Sequence, residues 1–130
     1  MRIEVTTISE KKIRIHSLHG EFEFDQLFQA IVDVYTHPQF DPAFKSGWDF
    51  RKVQNLQKIS MEQLEKIVAY VAWKRSKLVK TKTAIVVSGE IELGLAKMYE
   101  REMEAANMVE ISVFSKVEEA LDWLARTVSR

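Results

Sequence analysis

Cysteine is missing from this 130-residue chain. Disulfides, thiolate metal sites and a cysteine nucleophile are therefore excluded. Glycine and proline are scarce, with four and two residues. No stretch reads as a linker, an internal repeat or a low-complexity tract, so a domain boundary has nowhere to sit and a single domain over 1–130 is expected. Neither sign of charge is in surplus, since nineteen Lys and Arg face nineteen Asp and Glu. A nucleic-acid binder is expected to carry a basic excess, and nucleic acid drops out as a partner. Long apolar runs are absent as well. The longest, Ile67 to Trp73, falls far short of the roughly 20 residues of a membrane span. The start, Met1 to Val5, alternates like a strand and lacks the apolar core of a signal peptide, and Thr127 to Arg130 matches no anchor motif. The expected location is the cytoplasm.

What is present is an ordinary globular mixture, 46% apolar and 29% charged. Ile3, Val5 and Thr7 alternate with polar neighbours, as do Ile13 and Ile15, with Ser9-Glu10-Lys11 as a polar turn between. This predicts a half-exposed β-hairpin at or near a sheet edge. Phe24, Leu27, Phe28, Ile31, Val32 and Tyr35 then fall on one face of a 3.6-residue period. That helix must stop near Thr36-His37, because Pro38 disfavours helical geometry in the residue before it.

A loop carrying Phe40 and Phe44 leads to Gly47-Trp48-Asp49-Phe50, a short strand with Trp48 and Phe50 on one face. Ser60 with Gln63 three residues on makes a capping box for a second helix. Its expected stripe is Leu64, Ile67, Val68, Val71 and Leu78, and Lys74, Arg75, Lys77 and Lys80 suit its C-terminal end. Thr83 to Ser88 is continuous and β-branched, the pattern of a parallel strand covered on both faces. Gly89 opens a third helix with Ile91, Leu95, Met98, Tyr99 and Met103 inside. Val109 to Phe114 reads as the last strand, and Val117, Leu121, Leu124 and Val128 as the inner face of the last helix. The order ββαβαβαβα implies right-handed crossovers and an α/β three-layer sandwich.

Four stretches carry a family resemblance: "YTHPQFDP" from Tyr35, "WDFRKV" from Trp48, "AIVVS…LGLAKMYE" from Ala84 and "ISVFSKVEEALDWL" from Ile111. Together with the hairpin they resemble the SpoIIAA-like family, small relatives of the STAS domains of anti-sigma-factor antagonists. The resemblance implies a single-domain sandwich with a five-stranded mixed sheet and four helices, located in the cytoplasm. It also implies one of two activities: a protein-binding switch, or a carrier of apolar ligands by comparison with CRAL-TRIO proteins. The antagonists present a phosphorylatable Asp-Ser-Ser-Gly at the helix after the third strand. Here the segment after Phe50 is "RKVQNLQKIS", so only Ser60 holds that place.

The candidate sites each have a plain structural explanation beside the functional one. Ser60 is a helix cap first and a phosphosite second. Asp49 and Arg51, at the carboxyl end of a parallel strand where α/β folds place ligands, also suit a simple ion pair. Ser88-Gly89 could present backbone amides to an anion, but Glu90 and Glu92 would repel it. His37 and Asp41 flank Pro38 and lack a further ligand. The Lys74 to Lys82 and Glu90 to Glu104 charges read as solvated helix faces. Aromatics remain: Phe40, Phe44 and Trp48 before the third strand, and Tyr70 and Trp73 off the stripe of the second helix. These cover the sheet edge, or they mark a dimer surface or a ligand groove. The expectation is a non-enzymatic regulatory or interaction module without cofactor or metal, self-associating as a homodimer. Its recognition surface would join the Phe40–Trp48 loop, Asp49–Ser60 and Ser88–Glu92 at the carboxyl ends of the strands. The alternative is a carrier or sensor of a small apolar ligand.

Overall fold

Alternating strand and helix periods fold as the computed structural model of the protein, which describes residues 1–126. The elements are β1 (Arg2–Ile8), β2 (Ile13–Glu21), α1 (Phe24–Thr36), β3 (Lys45–Gln54), α2 (Met61–Arg75), β4 (Thr81–Val86), α3 (Glu90–Ala106), β5 (Val109–Phe114) and α4 (Val117–Leu124). Short 3₁₀ turns occupy Ser9–Lys11 and Leu56–Lys58. The five strands form one mixed sheet in sequence order, with β1 antiparallel to β2 and all later neighbours parallel. The hairpin lies at an edge as its half-polar pattern predicts, and Val5 on β1 is exposed.

That order decides where the helices go. Each step β2→β3→β4→β5 moves the same way across the sheet. Right-handed crossovers therefore put α1, α2 and α3 on one face. The larger core forms there, with Leu18, Leu27, Ile31, Ile67, Ile85 and Met103 buried together. After β5 no crossover remains, and α4 alone folds over the other face against Ile13, Ala84 and Val86. Gly47 permits this approach, since a Cβ there would lie 2.5 Å from Ile15 Cδ1 and 3.6 Å from Leu124 Cδ1. The layers are unequal, three helices against one.

Several boundaries differ from the sequence expectation. β3 is longer than Gly47–Phe50 at both ends, because β2 pairs with it from Lys45 to Gln54 across a bulge. α2 ends at Arg75, so Leu78 and Lys80 lie beyond it. Ile91 is exposed rather than inside, and Ala96 takes the buried position on α3. Val128, expected on the last helix, lies outside the described residues.

The basic run is not a solvated face throughout. Arg75 and Lys82 are 3% and 2% exposed. Arg75 donates to the carbonyls of Pro42 (3.0 Å) and Val79 (2.8 Å), tying the loops that enter β3 and β4. Lys82 projects from β4 to the α4 side, where Nζ donates to the Trp123 carbonyl at 2.9 Å and lies 4.6 Å from that indole's centroid. Burial holds the Lys82 ammonium below the ordinary lysine range. It serves as a C-terminal cap for α4.

Candidate functional site

The strand period puts Ser46, Trp48 and Phe50 of β3 on the helix side, beside Thr83, Ile85 and Val87 on and just after β4. The helices do not fill the space above this floor. A partly open cavity of about 120 Å³ remains, roofed by α1, α2 and α3. It exists because Ser46, Thr83 and Ala96 are small at positions where large aliphatics would have met. Ser46 to Phe50 and Thr83 to Val87 each advance about 13 Å, at roughly 3.3 Å per residue. The cavity is therefore a slot, narrow for its length.

Its walls are apolar apart from a few groups. Ser46 and Thr83 sit opposite one another in register near the amino ends of the strands, and the Tyr35 and Tyr99 rings also line the space. Burial raises the Tyr35 phenol above the usual range, against the opposing pull of nearby Arg75. Burial raises Tyr99 further still. Both phenols are neutral hydrogen-bonding groups at ordinary pH. At the carboxyl ends, Leu56, Ile59 and Glu92 complete the wall. A slot of this size is close to the roughly 150 Å³ of an apolar cavity that admits benzene. It falls below the roughly 300 Å³ where drug-sized pockets begin. A short apolar chain or a single ring matches this volume.

The aromatic and charged candidates from the sequence do not share one surface. Trp48 lines the slot, and its back is stacked on His16 with ring centroids 4.0 Å apart and planes 8° off parallel. His16 is buried, Nδ1 has no partner among the described residues, and burial lowers its pKa to about 4. Asp49 and Arg51 face the opposite, α4 side. Arg51 Nε and Nη2 donate to the two carboxylate oxygens of Asp49 at 3.0 and 2.9 Å. Burial pushes the Asp49 carboxyl up, but Arg51 more than offsets this and holds it below the usual range. The expected ion pair is present.

Phe40 and Phe44 precede β3, so the parallel topology puts them at the amino ends of the strands. The recognition surface expected at the carboxyl ends is corrected on this point. The ten residues of β3 separate that loop from Asn55–Ser60 by about 30 Å. Phe40 packs on Tyr35 (5.3 Å between centroids), and Phe44 lies under the Arg14 guanidinium at 4.9 Å. Tyr70 stands edge-on to Phe28 and Tyr35 at the α1–α2 seam, with Trp73 beside it and 66% exposed. Asp49 and Arg51, expected at the carboxyl end of the strand, lie inside it instead, because β3 continues to Gln54.

The remaining candidates are held locally. Ser60 Oγ accepts from Gln63 N–H at 3.1 Å while Gln63 Oε1 accepts from Ser60 N–H at 3.0 Å, both arms of the capping box. His37 Nδ1 accepts from Gln39 N–H, and Asp41 Oδ1 from Ala43 N–H, each fixing its own turn. Among the described residues no three of His, Cys, Asp and Glu gather as a metal site, and no helix is long and apolar enough to cross a membrane. Tyr35, Thr83 and Tyr99 line the cavity outside every stretch of the surface expected from sequence, whereas Ser46 and Glu92 fall within the expected Phe40–Trp48 and Ser88–Glu92 surface. One signal was available: small polar residues at inward positions of strands otherwise filled by bulky side chains.

No family model matches the chain, and no curated protein matches it. Among solved structures it is similar to an uncharacterized protein of the DUF3478 family, with a SpoIIAA-like fold, from Shewanella loihica PV-4. The match has a TM-score of 0.61 and 13% identity, over 95% of this chain and 92% of that one. Identity this low speaks to architecture alone: this chain has a SpoIIAA-like fold.

Proposed function

We propose that this chain is a non-catalytic STAS-like module that binds a short apolar molecule, as a sensor or carrier, in the slot between the helices and β3–β4. The cavity carries this reading: about 120 Å³ of largely apolar space in a fold whose interior is otherwise close-packed. The elongated floor favours a chain or a ring with a tail. Three buried charged groups support a non-catalytic role, since Asp49, Arg75 and Lys82 are each engaged by a structural partner. Native mass spectrometry of protein purified without denaturation tests the reading. An added mass that departs on mild activation, or one acquired on incubation with 1-octanol, supports it. A bare mass in both cases, with no change in melting temperature, refutes it.

A second reading is favoured by one observation. Trp73 and Val79 are 66% and 61% exposed near the C-terminal end of α2, a place where a partner or a second copy could dock. On this reading the module acts in the cytoplasm by association. Sedimentation of the protein and of Trp73→Ser at matched concentrations checks self-association. A monomer at all concentrations removes the homodimer.

A further inference from the structure

We infer that the slot selects amphiphiles with a cationic or N–H-donating head, alkylamines in the simplest case, over fatty carboxylates. This rests on the apolar-ligand reading above and specifies its ligand class. Among the described residues lining the slot, Glu92 is the only Asp, Glu, Lys, Arg or His. Its carboxylate turns back over Gly89, whose φ of 98° and missing Cβ leave the room it occupies. No described residue hydrogen-bonds to it or forms an ion pair with it, whereas Glu21 and Asp49 have such partners. Glu90 adds a second negative charge on the same helical turn.

The nearby cations stand behind the wall and do not line the slot. Arg75 lies behind Tyr35, with Nη2 committed to two carbonyls. His16 lies behind Trp48 and is neutral above about pH 4. A carboxylate brought beside Glu92 would meet a like charge with no cation on the wall to offset it, which is unfavourable. An ammonium in the same place makes a charge-assisted hydrogen bond, with its chain running along the floor from Phe50 and Val87 towards Ser46 and Thr83.

Three eight-carbon probes that differ only in the head group test this: octylamine, 1-octanol and octanoate, titrated by calorimetry at neutral pH below their micellar concentrations. Octylamine is expected to bind about tenfold more tightly than 1-octanol, with octanoate weakest. Glu92→Gln should bring octylamine down to the octanol affinity and leave octanol unchanged. Glu92→Lys should reverse the order in favour of octanoate. If 1-octanol binds but octanoate matches or exceeds octylamine, the head-group assignment is overturned while the apolar-ligand reading stands. The assignment is also overturned if the amine preference survives in Glu92→Gln. If none of the three binds, both fail.

Discussion

Acidification from pH 7 to pH 4 loads His16 most heavily, since it is the histidine whose pKa burial lowers to about 4. The ring is 3% exposed and stacked on Trp48. Burial, aided by Arg14 and only partly offset by a hydrogen bond to the Gly47 backbone, lowers its pKa from 6.5 to about 4. The unfolded chain accepts a proton below pH 6.5 that the folded chain refuses until about pH 4. The unfolded state binds more protons in that window, so stability falls as pH falls through it. At about 1.36 kcal/mol per unit, the loss reaches about 3 kcal/mol by pH 4, a large part of the roughly 5–15 kcal/mol of a typical domain. Asp49 acts separately. Its folded carboxyl is depressed, so its contribution is intact above an unfolded value of about 3.9 and is lost only below it. Urea unfolding at pH 7, 6, 5 and 4 should show the midpoint of the native protein falling across this range. His16→Phe, which keeps a ring against Trp48, should show a much flatter profile. Parallel pH slopes for the two proteins would refute the reasoning, whatever their absolute stabilities.

Filling the slot should separate stability from binding. Ala96→Leu adds three carbons to the cavity wall, worth at most about 0.8 kcal/mol each. A gain of about 1–2 kcal/mol in urea midpoint stability is expected, with loss of 1-octanol binding. A loss of about 1–3 kcal/mol, the usual result of overpacking, would show that no usable space exists there. Ser60→Ala should cost about 1 kcal/mol through loss of the cap, while Ser60→Asp should stay close to the native protein. Thermal melts of the two variants distinguish a capping role from an unrelated one.

Much of the fold was legible because period and punctuation agreed. Phe24 to Tyr35 announced α1, Pro38 its end, and Ser60 with Gln63 the start of α2 down to both hydrogen bonds. The continuous apolar run around Ile85 announced a strand buried on both faces. What stayed hidden depends on tertiary placement. Arg75 and Lys82 looked like two more surface cations, because a sequence does not show that Pro42, Val79 and Trp123 present carbonyls to them. The slot was hidden for the same reason. An apolar stripe predicts that Ile67, Val71 and Ile85 face inward, but not that Ser46, Thr83 and Ala96 leave space where they meet. The aromatic candidates Phe40, Phe44 and Trp48 are neighbours along the chain, but β3 starts at Lys45 and leaves Phe40 and Phe44 outside the sheet. Of the candidates Phe40, Phe44, Trp48, Tyr70 and Trp73, only Trp48 lines the cavity, because it sits inside the strand and not in the loop before it.

The central claim is an accessible apolar space between the helix layer and β3–β4, and xenon reports on it with no assumption about the natural ligand. Diffraction from crystals held under xenon pressure should show a bound atom above Trp48 and Ile85, lost in Ala96→Leu. Xenon density elsewhere in the protein, with none between these residues and α3, would contradict the account.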